Sequence, residues 1–150
     1  MFRKLIATDD DVASLILRVV TGIVFFAHGA QLALGWFGGN GFNATMQFFT
    51  QNMHIPAVFA FLAIAAQFLG SLGLIVGLLT RVAAFGIGAV MLVAAVMVHL
   101  PIGFFMNWFG NQKGEGFEYH LLAMAIAVAL MIKGGGKASI DRALSGKPRP

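Results

Sequence analysis

Five side chains that can hydrogen-bond or exchange a proton interrupt apolar stretches of this chain. His28 and Gln31 stand three residues apart in "FFAHGAQLALGWFGGNGF" (25–42), Gln67 lies inside "FAFLAIAAQFLGSLGLIVGLL" (59–79), His99 closes an apolar run before Pro101, and Glu118 opens "EYHLLAMAIAVALMIK" (118–133). Arg18 adds a charge inside the first apolar run. Ionisable groups in such surroundings cost several kcal/mol, roughly, unless paired or hydrated, so they face a helix bundle interior and mark candidate sites. Histidine titrates near neutral pH and a carboxylate takes up or gives a proton, so His28 and Glu118 are the candidate proton-handling pair. Arg18, Gln31, Gln67, His99 and Trp36 are the candidate ligand-binding set. Each also has a structural reading. His28 fits a core histidine bonded to a carbonyl, Arg18 a partner of a carbonyl or of Asp11, and Gln67 an interhelical hydrogen bond. Glu118 fits a charge at a helix start, and His54 and His120 fit interfacial polar positions.

The pattern narrows the chemistry. A b-type haem needs two facing axial histidines, and His28 and His99 match in depth only loosely. Zinc wants three or four close ligands, and no ligand spacing of that kind is present, so no metal is assigned. A quinone asks for less: an apolar slot, with a few polar groups at the ring carbonyls. It is the one cofactor the residues suggest. Glycines such as Gly86 and Gly88 lie inside an apolar helix and are packing positions, not a phosphate cradle.

These groups must be positioned by four apolar runs, each close to the roughly 20 residues that cross a bilayer. They cover residues 11–34, 56–79, 82–100 and 117–133, with a tail at 134–150. Asp11 supplies an N-cap for the first, Pro56 a suitable first position for the second, Pro101 stops the third, and the glycines at 134–136 stop the fourth. Asn43 is a candidate cap for a short interfacial helix between the first two runs, with Met46, Phe48 and Phe49 on its apolar side. The expected fold is all-α: one integral membrane domain, an antiparallel four-helix bundle packed through small residues at Gly70, Gly73 and Gly77 and along the third and fourth runs. Arg3, Lys4, Arg81, Lys133, Lys137, Arg142, Lys147 and Arg149 fall on one side and only Lys113 on the other, which predicts a multi-pass protein with both termini cytoplasmic. His28 then lies roughly 9 Å inside the outer end of its helix, and Arg18 about 15 Å deeper. The tail reads as solvated chain with one helical turn.

Of the 150 residues, 59% are hydrophobic and 11% charged, against roughly 25% charged in soluble domains. The mean hydropathy of +0.84 agrees. The net charge of +4 sits at the ends of apolar runs, which fits membrane orientation and excludes a nucleic-acid reading. The absence of cysteine excludes disulfides, thiol catalysis and cysteine-held clusters. Asp9, Asp10, Asp11 and Arg18 disfavour a cleaved signal peptide, so the first helix is expected to be retained.

"HGAQLALGWFGGNGF" (28–42), "GLIVGLLTR" (73–81), His99 with "PIGFF" (101–105), "GFEYHLL" (116–122) and "GGGKASID" (134–141) together resemble the DoxX/DoxD family of small bacterial and archaeal membrane proteins. The resemblance runs over nearly the whole chain and takes in Arg18, His28, Gly29, Gln31, Gly77, Arg81, His99, Glu118 and Asp141. It implies a four-helix protein of the bacterial inner membrane. It also implies a subunit or accessory of a quinone-linked oxidoreductase or redox-stress complex, with a membrane or periplasmic redox partner. Some relatives are the membrane subunit of a thiosulfate:quinone oxidoreductase. Where many relatives carry a glutamate in the second helix this chain has Gln67, which hydrogen-bonds but carries no charge. The alternative is a non-catalytic membrane scaffold or small-solute carrier, whose polar groups serve packing and hydration.

Overall fold

The computed structural model describes residues 2–145. These residues form seven α-helices: α1 (Phe2–Ile6), α2 (Val12–Leu34), α3 (Gly41–Gln47), α4 (Ala57–Val76), α5 (Thr80–Ala94), α6 (Glu118–Lys133) and α7 (Ile140–Ser145). Two π-helical stretches, Phe48–Asn52 and Ala95–His99, extend α3 and α5. Three helical spans are long and apolar enough to cross a membrane: Val12–Leu34, Ala57–Val76 and Thr80–His99. α6, at 16 residues, is about 24 Å long and shorter than a standard span. Large apolar side chains such as Ile23, Leu69 and Ile132 are exposed on the helix flanks, as suits contact with hydrocarbon rather than water.

α2 begins where Asp11 accepts hydrogen bonds from the Ala13 and Ser14 N–H groups and from Ser14 Oγ at 2.7 Å. The Ser14 hydroxyl foremost, and then Ala13, holds the Asp11 carboxyl below the usual aspartate range. α2 packs chiefly on α4, α4 on α5 and α5 on α6, while α6 also touches α2. The tight crossing belongs to glycines of α2. A Cβ on Gly29 would stand 2.6 Å from Phe68 Cα, and one on Gly22 would stand 2.8 Å from Ile75 Cγ1. Gly70 is not such a contact, since a Cβ there would meet Ala83 O at an ordinary 3.6 Å. Of the expected small-residue seams, the third and fourth runs meet closely at Gly88, where a Cβ would stand 3.2 Å from Ala127 Cβ, whereas the tightest crossing of the second run is made by glycines of the first.

One end of the structure is closed by a latch of backbone carbonyls. Arg18, 1% exposed, donates to Gly135 O at 2.8 Å, to Leu74 O and Ile75 O in the last turn of α4, and to Lys137 O and Ala138 O. All five N–H donors of a guanidinium are thereby used. Asp141, equally buried, accepts from Leu79 N at 2.7 Å and Thr80 N at 2.8 Å, so it caps α5 from the far end of the chain. Gly77, at φ +70°, allows this approach, because a Cβ there would press on Ser139 and on the Arg18 guanidinium. Arg81 donates to Met131 O, Ile132 O and Ala7 O. The start of α2, the end of α4, the start of α5 and the end of α6 thus meet.

The tail is not a solvated appendage over its described part. Ser139 and Asp141 are buried, and α7 follows directly. Lys147 and Arg149, counted in the charge asymmetry, lie outside the described residues. The helix expected to start at Asn43 starts at Gly41, with Asn40 at the cap position and no side-chain cap bond. The turn from Gly35 to Gly41 reverses the chain early, because Gly39 lies directly on the Gln31 backbone.

Candidate functional site

The opposite end holds a cavity of about 970 Å³. α2 contributes His28, Gln31 and Leu32, the π-helical stretch contributes Phe48 and Phe49, and the turn after it contributes Met53 and His54. The first half of α4, from Pro56 to Gln67, and the second half of α5, including Phe85, Met91 and Met97, complete the walls. Among the described residues the lining contains no aspartate, glutamate, lysine or arginine.

The polar groups reach the cavity through backbone contacts already described. Gly29 lets α2 lie against the carbonyl of Gln67, since a Cβ would stand 2.7 Å from Gln67 O. His28, one residue earlier, and Gln67 therefore meet the same space. Gln31 is one helical turn further along α2, and its Nε2 donates to Phe37 O at 3.1 Å. That bond ties the end of α2 to the turn Trp36–Gly38. His28 packs at a tilt on Phe25, with ring centroids 6.4 Å apart. Gln67 is 8% exposed and lines the cavity from α4. A largely buried amide at the wall of an apolar space is a group to which a ligand carbonyl or hydroxyl can bond.

Not every candidate residue joins this cavity. Arg18 lies at the other end, with its donors consumed by carbonyls. Glu118 is spent on the 100–117 loop: its Oε1 accepts from Met106 N at 2.8 Å. His99 is held by Glu115 O at 2.8 Å through Nδ1 and lies against His120, with ring centroids 4.0 Å apart. Trp36 is 54% exposed, packs edge-on with Phe37 and is not in the lining. The convergence of His28, Gln31, His99 and Glu118 is therefore corrected. The first two face the cavity, while the last two organise the loop and the start of α6. The physical reason is that a loop without regular structure leaves backbone N–H and C=O groups without ladder partners, and Glu118 and His99 take Met106 N and Glu115 O.

Two features escape the sequence reading. His54 lines the cavity, although its position suggests only an interfacial residue. The available signal is "HIP", a turn ahead of the helix that carries Gln67. Tyr119 OH and His120 Nδ1, both in α6, are buried without a hydrogen-bond partner among the described residues. Their neighbours His99 and Glu118 drew attention because they end or start apolar runs. No group of three or more histidine, cysteine, aspartate or glutamate side chains suited to a metal occurs among the described residues.

The DoxX family model matches residues 13–100. The chain is 32% identical over 120 residues to a Bacillus subtilis (strain 168) protein named "Putative oxidoreductase CatD", covering 80% of this chain and 79% of that one. No solved structure gives a significant match. The chain belongs to the DoxX family.

Proposed function

We propose, from membership of the DoxX family, that this chain is the membrane subunit or accessory of a quinone-linked oxidoreductase and holds a quinone head group in the cavity. The observation that carries the reading is the meeting of His28, Gln31 and Gln67 in one apolar space of about 970 Å³. The name of the Bacillus relative, an oxidoreductase, supports a redox role. Quinone, when bound, supplies the carrier for electrons. The chain's own residues hydrogen-bond the ring oxygens, keep charged groups away and exchange protons. With no carboxylate in the lining, proton exchange falls to histidine, and Gln67 orients the ring.

The same proposal places the protein in the inner membrane as an antiparallel four-helix bundle, multi-pass, with both termini cytoplasmic. Contacts among α2, α4, α5 and α6 and the meeting of their alternate ends support the bundle. α6 makes the fourth crossing, supported by an uncharged stretch from Tyr119 to Ile132. The cavity end then faces outward, and the exposed Phe105, Trp108 and Phe109 beside it offer a redox partner a surface. A non-catalytic scaffold or small-solute carrier is the second reading. It is favoured by the number of buried polar groups, Arg18 and Asp141 above all, that serve only the backbone.

Titration of the purified full chain in lipid nanodiscs with decylubiquinone separates the two readings. Saturable binding, weakened about tenfold by Gln67→Leu through loss of a buried hydrogen bond, is expected. Unsaturable partitioning, the same in both proteins, contradicts quinone binding.

A further inference from the structure

We propose that His54 is a second ligand-binding imidazole of this cavity, reaching it from a different element than His28, so that the site selects a neutral ligand with polar atoms at two separate positions. The inference rests on the quinone reading and goes beyond it by assigning a residue and a recognition rule. His54 lines the cavity from the turn before α4, whereas His28 lines it from α2. The two rings therefore enter from different elements.

The backbone gives an independent reason to look at His54. It has φ +55°, in the left-handed region. It directly follows the cap residue Met53, and Ile55 N donates to Phe49 O at 2.9 Å, so His54 occupies the position where a helix end usually has glycine or asparagine. Three other non-glycine residues share that conformation. Leu79 and Ala138 are held there by Asp141 and Arg18, and the Phe37 carbonyl is held by Gln31. For His54 no side-chain bond among the described residues accounts for the choice of a ring over glycine. His54 is exposed at the edge of this polar-poor cavity, and an imidazole kept there at a glycine position fits a ligand contact. Since the lining carries no charged side chain, the ligand it fits is uncharged. A ring carrying two carbonyl groups offers an acceptor to each imidazole.

The test uses the full chain in lipid nanodiscs and decylubiquinone as probe. His54→Gly and His54→Asn keep the left-handed turn and remove the imidazole, and His28→Ala removes the other one. Each single change is expected to weaken binding about five- to tenfold without lowering the melting temperature of the two His54 variants. Removing both should approach non-specific partitioning. If His28→Ala weakens binding and both His54 variants bind like the wild type, the second imidazole is refuted and the quinone reading stands. If the wild type itself does not saturate, the quinone reading falls and takes this assignment with it.

Discussion

Arg18 reads from the sequence either as a ligand-binding residue or as a partner of a carbonyl, and the fold gives it the second use. A charge inside an apolar helix can be tolerated when every donor finds an acceptor, and here five carbonyls from α4 and the tail provide them. Arg18→Lys keeps the charge but has only three donors in a different geometry. It should lower stability in detergent by about 3 kcal/mol, read from thermal unfolding, because buried carbonyls lose their partners. Asp11 makes a prediction of opposite chemical type. Its carboxyl is held below the usual aspartate value of 3.8, chiefly by the Ser14 hydroxyl. A depressed carboxylate contributes stability that is complete above the unfolded value and fades as pH falls through the folded one. The wild type should therefore lose melting temperature below about pH 4, and Asp11→Asn should flatten that part of the profile. Individual roles were only partly legible in the residues. The unusual position of Arg18 is plain from the sequence, but its partners come from residues 74–75 and 135–138, and no local pattern states that pairing.

At the level of elements, the helices were the legible part. Apolar runs, the Asp11 cap and the prolines at 56 and 101 mark where long helices start and stop, because those are local preferences. The face each helix presents was less legible. Glycines occur throughout α2, α4 and α5, and only the crossing of two particular backbones decides which are required. Gly29→Ala should lower the melting temperature clearly, since its Cβ would sit 2.6 Å from backbone, whereas Gly70→Ala, with 3.6 Å of room, should be neutral or slightly stabilising. Equal effects from the two would show that the α2–α4 crossing has been misplaced. The motifs that carry the family resemblance also divide by element. "GLIVGLLTR" and "GGGKASID" build the latch around Arg18 and Asp141, and Glu118 of "GFEYHLL" holds the 100–117 loop. "HGAQ" alone among them faces the cavity. A recurring motif in a membrane helix need not be a binding motif, and here most of the residues that a motif search would select are structural.

The whole molecule has a closed end and an open end. The latch joins four helix ends through carbonyls and one buried carboxylate, while the cavity opens at the other end among apolar side chains with few hydrogen bonds across it. In the proposed orientation the latch is the cytoplasmic end and the cavity faces outward. Single cysteines at Ser145 and Asn111, introduced into a chain that has none, test the orientation. Ser145→Cys should react with a membrane-impermeant thiol reagent only after cells are opened, and Asn111→Cys should react in spheroplasts. The reverse pattern would invert the topology. The central claim is the location of a quinone in the cavity, and photolabelling with an azido-quinone followed by peptide mapping tests it most directly. The account predicts label in the segments 48–67 and 85–98, which contribute most of the lining, and its removal by excess unlabelled quinone. Label spread over the outward helix flanks and unaffected by competitor would contradict it.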